Sequence, residues 1–103
     1  MPIARSSDEE IADALRGLGG WARAGDAIAR DVVCRSFADA VALVTRIGFL
    51  AEAADHHPDL DVRWRTVTVA LSTHECGGLS TRDFALAAQI DAVVPCFEMR
   101  AES

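Results

Sequence analysis

Three histidines are the residues of this chain best suited to proton-transfer chemistry. His56 and His57 are adjacent, and His74 lies beside Glu75. An isolated imidazole titrates at about pH 6.5, so it can donate or accept a proton at neutral pH without a large perturbation. Carboxylates close in sequence, among them Asp55, could orient the rings or share their protons. These residue types at these positions indicate a candidate acid/base site.

Two other interpretations of the histidines stay open on the residues alone. Three histidines with nearby carboxylates could ligate zinc, although adjacent histidines such as His56 and His57 point their side chains in different directions. In a purely structural arrangement, one histidine would cap a helix C-terminus and the others would hydrogen-bond loop backbone. The residue types alone do not decide between these chemistries.

Two carboxylates could position the rings. Glu52 precedes His56 by four residues, so a helix that continued through both would place them on one face. The alternative for Glu52 is an exposed carboxylate at a helix end. Asp83 follows Ser80 by three residues, a spacing typical of a helix N-terminal cap, and we expect it to lie near His74.

The first elements of the chain follow from polar caps and turn residues. Ser7, three residues before Glu10, forms a capping box for a first short helix, which a group of glycines ends. Residues 21–23 and 27–35 flank Ala24-Gly25-Asp26, a turn signal, and predict a β-hairpin.

A long helix comes next. It is capped by Ser36 and is predicted to end at about Ala54, before Pro58, which cannot continue a helix. Its predicted buried stripe consists of apolar residues three or four positions apart, namely Phe37, Val41, Val44, Ile47 and Ala51.

Two further strands and a closing helix complete the chain. Period-two alternation over residues 62–71 predicts two strands, with a turn or bulge between Trp64 and Val67, where the phase slips. Ser80 then caps a helix with apolar residues on one face. Trp64, like Trp21 in the first hairpin, is expected in the core or at an interface.

The order of elements predicts an α+β fold. Helix, two strands, helix, two strands and helix (α-β-β-α-β-β-α) imply a four-stranded antiparallel sheet with helices packed on one face. With 103 residues and no linker or repeat, residues 1–103 are expected to form a single domain. Such a sheet has two open edges and one uncovered face, which proteins commonly hide by self-association.

Charge and cysteine content exclude several classes of function. A net charge of −6 with ten scattered basic residues argues against a nucleic-acid ligand. No stretch is apolar enough for a signal peptide or a membrane span, so we expect no membrane association and a cytoplasmic location. The three cysteines lack a C-x-x-C pair and are interpreted as reduced thiols, with Cys34 and Cys96 as small core residues.

The spacing of the candidate site residues resembles the signature of the pterin-4a-carbinolamine dehydratases. Glu52 is followed by Asp55-His56-His57-Pro58, then by Trp64, His74 and Asp83 at the family's spacing. The likeness extends to Gly20-Trp21 and to the run Leu71 to Ser80, and so covers nearly the whole chain. The chain departs from many members at Arg63-Trp64-Arg65, where a tyrosine and fewer basic residues are common.

The resemblance implies an enzyme that needs neither metal nor bound cofactor. It would dehydrate 4a-hydroxytetrahydrobiopterin, a 4a-hydroxy-tetrahydropterin, to the quinonoid dihydropterin, in tetrahydrobiopterin recycling. By the resemblance, His56 and His74 match the general acids. His57, also catalytic, matches a histidine that mainly holds the pterin and can relay a proton. The substrate-binding stretches are Asp55, His56 and His57, and Ser72, Thr73, His74 and Glu75. Glu52 and Asp83 would orient the catalytic side chains.

The resemblance also implies partners. Known members form homodimers through sheet edges, and some form homotetramers through the long helices. An aromatic amino-acid hydroxylase would be a functional partner. Because some relatives act as dimerisation cofactors or assembly factors for other proteins, a non-catalytic role on the same scaffold is the alternative.

Overall fold

The computed structural model describes residues 3–100, which form three α-helices and four strands. The elements in chain order are α1 (Asp8–Arg16), β1 (Ala22–Ala24), β2 (Ala27–Val33), α2 (Phe37–Ala54), β3 (Asp59–Arg63), β4 (Thr66–Leu71) and α3 (Thr81–Val93). Short 3-10 helices cover His74–Cys76 and Val94–Cys96. The predicted α+β class and the order α-β-β-α-β-β-α are confirmed. No helix within these residues is long and apolar enough to cross a membrane.

The strands form one antiparallel sheet in the order β1-β2-β4-β3. In the central pair, Ile28 lies opposite Leu71 and Val33 lies opposite Thr66. Alternate residues of these strands point toward the helices and are fully buried, among them Val67 and Val69. The core between sheet and helices is completed by Ile11, Leu43, Ile47, Leu86 and Ile90.

Helix α2 buries only part of the predicted stripe: Ile47 and Ala51 are buried as expected. Its buried residues are Ala40, Leu43, Ile47 and Ala51. Phe37 and Val41 were expected in the core, but they are 55% and 47% exposed. The physical reason is that α2 carries apolar residues around most of its circumference, so spacing alone cannot choose between two overlapping stripes.

Trp64 was expected in a strand and either in the core or at an interface, and the strand and core placements are wrong. Arg63 pairs with Thr66 across the β3–β4 hairpin, which leaves Trp64 and Arg65 as the two-residue turn. Such turns require positive φ, and Trp64 has a φ of 52°. Its ring is therefore 71% exposed, with the Arg65 guanidinium 4.5 Å from the ring centre. The predicted turn between Trp64 and Val67 is confirmed.

The predictions for Trp21 and Cys34 are confirmed, and the prediction for Cys96 is wrong. Trp21 is buried, and its Nε1 donates a hydrogen bond of 2.8 Å to Asp91 Oδ1. Cys34 is fully buried, as expected. Cys96, expected in the core, is exposed. The chain leaves α3 at Val93 and turns through a 3-10 helix, so the buried face of α3 does not extend to Cys96.

Candidate active site

The candidate site lies where the end of α2 meets the end of β4. Helix α2 ends because Asp55 adopts the left-handed conformation, with a φ of 50°, and its N–H bonds to backbone carbonyls of the last turn. Asp59 at the start of β3 lies opposite Ala70 near the end of β4. The segment before Asp59 therefore runs beside the segment after Ala70, and this register brings all three histidines together.

His56 is held from inside the protein by Asp83. The left-handed turn directs the His56 ring inward, where its Nε2 lies 2.6 Å from Asp83 Oδ1. Asp83 is fully buried and His56 is nearly so. Because an ionised carboxylate can only accept hydrogen bonds, His56 donates through Nε2, and Nδ1 is the ring nitrogen that Asp83 does not bind.

The second carboxylate oxygen of Asp83 accepts two further hydrogen bonds. Asp83 Oδ2 accepts hydrogen bonds from the Thr73 hydroxyl at 2.8 Å and from the Ser80 backbone N–H at 3.0 Å. Since the Thr73 hydroxyl gives its proton to Asp83, the 2.7 Å contact between Thr73 and Ser80 hydroxyls has Ser80 as donor. Asp83 is also the third residue of the α3 capping box. The carboxylate that positions His56 is thus fixed by a helix cap and by the loop after β4.

Glu52 pairs with His57, whereas the sequence predicted His56. Its Oε1 accepts a hydrogen bond of 2.7 Å from His57 Nε2, and both side chains are well exposed. The helical spacing of Glu52 and His56 does not apply, because α2 ends at Ala54 and the turn at Asp55 rotates His56 away from the helix face. Asp83, expected near His74, bonds His56 and also Thr73, the residue before His74.

His74 opens the 3-10 helix after β4 and is exposed. Unlike the other two histidines, its ring has no hydrogen-bond partner among residues 3–100. A cavity of about 130 Å³ lies between His74 and the segment after α2. Its lining residues are Asp55, His56, His57, Ser72, His74 and Glu75. One cavity is therefore lined by all three histidines.

The cavity contains most of the residues that the sequence singled out. Of the predicted substrate-binding residues, Thr73 alone does not line this cavity; it is buried, with its hydroxyl turned to Asp83. Sequence reasoning missed that Thr73 and Ser80 hold Asp83 in place. The spacing of Ser80 and Asp83 predicted the N-terminal cap of α3. That spacing did not indicate that the Asp83 carboxylate also hydrogen-bonds His56.

The arrangement suits proton transfer to a small polar ligand. One imidazole is oriented from behind by a buried carboxylate, and two others are accessible on the cavity wall. Within residues 3–100, no group of three or more histidine, cysteine, aspartate or glutamate side chains is placed to hold a metal ion. The chemistry that these residues can supply themselves is general acid and general base catalysis.

Comparisons with known proteins agree on one family. Residues 4–93 match the family model described as pterin 4 alpha carbinolamine dehydratase. A protein of Nocardia farcinica, named provisionally as a pterin-4-alpha-carbinolamine dehydratase, is 59% identical over 85 residues, which cover 82% of this chain and 90% of the relative. A similarly named protein of Roseiflexus castenholzii is 52% identical over 88 residues, which cover 85% of this chain and 95% of the relative.

A solved structure shares the fold. The crystal structure of a transcriptional coactivator/pterin dehydratase from Brucella melitensis superposes with a TM-score of 0.85 at 30% sequence identity. The match covers 88% of this chain and 99% of that chain. The similarity therefore extends over most of this chain and nearly all of the Brucella melitensis chain.

Proposed function

Because the chain belongs to the pterin-4a-carbinolamine dehydratase family, a family of hydro-lyases, we propose that its histidine cavity converts 4a-hydroxytetrahydrobiopterin to quinonoid dihydrobiopterin and water. The observation that carries this proposal is the presence of His56, His57 and His74 in the wall of one cavity of about 130 Å³.

The reaction requires one proton to be delivered and one to be removed. The C4a–O bond breaks with its electron pair on oxygen, which takes up a proton and leaves as water. The N5–H bond gives up its proton to a base, and its electron pair forms the new C4a=N5 double bond. No oxidant or reductant is consumed, so acid and base side chains supply all the chemistry that the protein must add.

In the proposed mechanism, His56 and His74 serve as general acids toward the leaving hydroxyl, and His57 holds the pterin. The Asp83 contact supports a role for His56, because it fixes the ring orientation and keeps one proton on Nε2. The proton given to the leaving hydroxyl would then come from Nδ1 of the doubly protonated ring. The accessible ring of His74 supports its approach from another side of the ligand. Glu52 orients the exposed His57 ring.

The test is dehydration of freshly generated 4a-hydroxytetrahydrobiopterin, followed by its ultraviolet change with a chelator present. The native protein should accelerate the reaction over buffer, and His56→Ala and His74→Ala should each lower kcat by about 10²- to 10⁴-fold, the usual contribution of a general acid. Arg16→Ala, which removes an exposed ion pair on α1, is a matched surface control. A native rate equal to buffer would reject the proposal and favour the non-catalytic alternative.

The proposed setting is tetrahydrobiopterin recycling in the cytoplasm, with an aromatic amino-acid hydroxylase as the source of the 4a-hydroxy compound. All three cysteines are free, the state expected in a reducing compartment. Coupled turnover with such a hydroxylase, with and without this protein, would test that setting.

We also propose that the chain forms a homodimer or homotetramer. Helix α2 presents three exposed apolar side chains, Phe37, Val41 and Phe49, the last of which is 68% exposed. Large exposed apolar residues grouped on one element are typical of interaction surfaces. The same surface would bind a partner protein if this chain also acts as an assembly cofactor. The Brucella melitensis relative is described as a transcriptional coactivator as well as a pterin dehydratase.

A further inference from the structure

The turn between β3 and β4 carries an exposed aromatic ring between two arginines. The Arg65 guanidinium lies 4.5 Å from the centre of the Trp64 ring, which is 71% exposed. Arg63, directly before the turn, makes an exposed ion pair of 3.2 Å with Asp61, and Arg65 has no carboxylate partner among residues 3–100. Arg63, Trp64 and Arg65 together form the hairpin tip.

The backbone at Trp64 is unfavourable for this residue type. Its φ of 52° lies in the left-handed region, which bulky side chains rarely adopt. Asparagine or glycine would make the same turn without that strain. Because the ring is mostly exposed, its burial within this chain offsets little of the strain. A strained residue that contributes little to the core indicates a function outside the core.

Exposed apolar surface continues from the hairpin tip along the end of the sheet. Val33 lies opposite Thr66, the first residue after the turn. The Met99 N–H donates a hydrogen bond of 2.8 Å to the Val33 carbonyl oxygen, which places Met99 next to Val33. The side chains of Val33 and Met99 are both exposed. Apolar surface for a ligand is thus available at the tip and beside it.

The hairpin tip has a charge opposite to that of the whole protein. The chain has a net charge of −6, whereas the tip adds two arginines and no carboxylate. Behind the tip, Asp31 and Asp61 lie on either side of Thr68 on the uncovered face of the sheet. An acidic ligand is therefore attracted to the tip and repelled by the sheet face behind it.

We propose that the hairpin tip is a docking site for a short acidic segment of another protein that carries an aromatic or proline ring among its carboxylates. The carboxylates pair with Arg63 and Arg65, and the ring stacks on the open face of Trp64. The inference does not rest on the proposed function. Thr66 and Leu71 mark opposite ends of β4, about 17 Å apart at about 3.4 Å per residue, and the histidine cavity lies beyond Leu71.

The charges argue against two other occupants of the hairpin tip. A second copy related by two-fold symmetry would bring Arg63 and Arg65 toward the same arginines of its partner. An anionic membrane would also face Asp31 and Asp61, and two arginines fall short of the roughly four to eight basic residues of lipid-binding clusters. A short acidic segment meets the arginines without either repulsion.

The experiment titrates three short synthetic peptides that lack tryptophan. The first alternates aspartate with phenylalanine and proline, the second has asparagine in place of aspartate, and the third has alanine in place of the rings. Because Trp21 is buried, a fluorescence change on binding reports Trp64. The first peptide should bind at least about tenfold more tightly than either of the others, and added salt should weaken it.

Variants studied by calorimetry assign the contact to the tip. Trp64→Asn should weaken binding of the first peptide by about tenfold or more, and Arg65→Gln by a few-fold. Arg16→Gln, which removes an exposed ion pair on α1, should bind that peptide as the native protein does. Trp64→Asn should also unfold at or above the native temperature, because asparagine tolerates the left-handed conformation.

Four results would overturn the docking site. Equal binding of the three peptides, or binding of none, would show that the tip does not select acidic segments. A lower unfolding temperature for Trp64→Asn would assign the ring to the fold. Binding of phosphatidylserine vesicles that is lost in Trp64→Asn would assign the tip to a membrane surface. A lower oligomeric mass of Trp64→Asn in light scattering would assign it to contact between copies of this chain.

Discussion

His56 and Asp83 are 27 residues apart in sequence, yet His56 Nε2 and Asp83 Oδ1 lie 2.6 Å apart in the protein interior. The contact joins the turn after α2 to the first turn of α3. The same carboxylate completes a helix cap and accepts the Thr73 hydroxyl hydrogen bond. Folding of α3 and orientation of the candidate acid are therefore linked through one side chain.

Asp83→Asn should have a larger effect on the kcat of dehydration than on the thermal stability of the protein. An amide in place of the carboxylate no longer fixes the proton on His56 Nε2, and loss of such an orienting partner typically costs about 10- to 100-fold in activity. We expect that fall in kcat, with KM changed much less. Steady-state kinetics and thermal unfolding measure the two effects.

The matched control is Asp39→Asn, which alters the first turn of α2 outside the site, where the Ser36 hydroxyl lies 3.1 Å from Asp39 Oδ2. It should lower the melting temperature slightly and leave kcat at the native value. A native kcat in Asp83→Asn would show that the contact serves the α3 cap alone.

Glu52→Gln should have a small effect. The Glu52 and His57 side chains are 79% and 59% exposed, and exposed ion pairs contribute only about 0–1 kcal/mol. We expect a change of a few-fold, in KM for the pterin, because His57 is proposed to hold substrate. Kinetics on this variant and on Glu9→Gln, an exposed α1 control, would measure it. A loss in kcat as large as that of Asp83→Asn would assign His57 a direct part in proton transfer.

Local patterns predicted the elements well because caps and turns act over few residues. The Ser7 and Ser80 capping boxes and the end of α2 at Ala54 follow from side chains next to the backbone groups that they satisfy. Alternation located β4, although β3 begins at Asp59, before the predicted segment. The family spacing brought together residues that do line one cavity. These features need no knowledge of long-range packing.

The partners of the charged side chains could not be predicted in the same way. The pairing of Glu52 with His57 depends on the left-handed turn at Asp55, and a helical spacing rule ignores that turn. The buried face of α2 and the exposure of Trp64 depend on which of several apolar residues meet the sheet. Those choices are made by tertiary packing, which periodicity in one segment does not contain.

Asp91→Ala should destabilise the protein strongly. Asp91 Oδ1 accepts hydrogen bonds from Arg30 Nη1 at 2.6 Å and from Trp21 Nε1 at 2.8 Å, and the Arg30 side chain is only 15% exposed. The variant leaves a mostly buried cation and a buried indole N–H with fewer partners, which costs about 2–3 kcal/mol. Urea unfolding measures the loss. Asp61→Ala, which removes an exposed pair with Arg63, should change stability by less than about 1 kcal/mol.

The three cysteines should be alkylated at different rates, and the most buried thiol should react most slowly. Burial raises the pKa of the Cys34 thiol, and the nearby carboxylates of Asp39 and Glu98 raise it further. Because the thiolate is the nucleophile and less of it forms when the pKa is raised, Cys34 should be alkylated last in native protein. Iodoacetamide at pH 8 with peptide mass spectrometry should label the exposed Cys96 first. Equal labelling of all three in urea is the control, and early labelling of Cys34 in native protein would contradict the buried position.

Phe49→Glu should weaken assembly if α2 is the interface. The Phe49 ring is 68% exposed on the same helix as exposed Phe37 and Val41, and a charge placed there would have to be desolvated on association. We expect native protein to elute as an oligomer and this variant to shift to a lower oligomeric mass at micromolar concentration, as measured by light scattering after gel filtration. Ala12→Glu, which adds the same charge on exposed α1, should leave the native mass unchanged. If Phe49→Glu keeps the native oligomeric mass, the contacts between subunits lie at the sheet edges β1 and β3 instead.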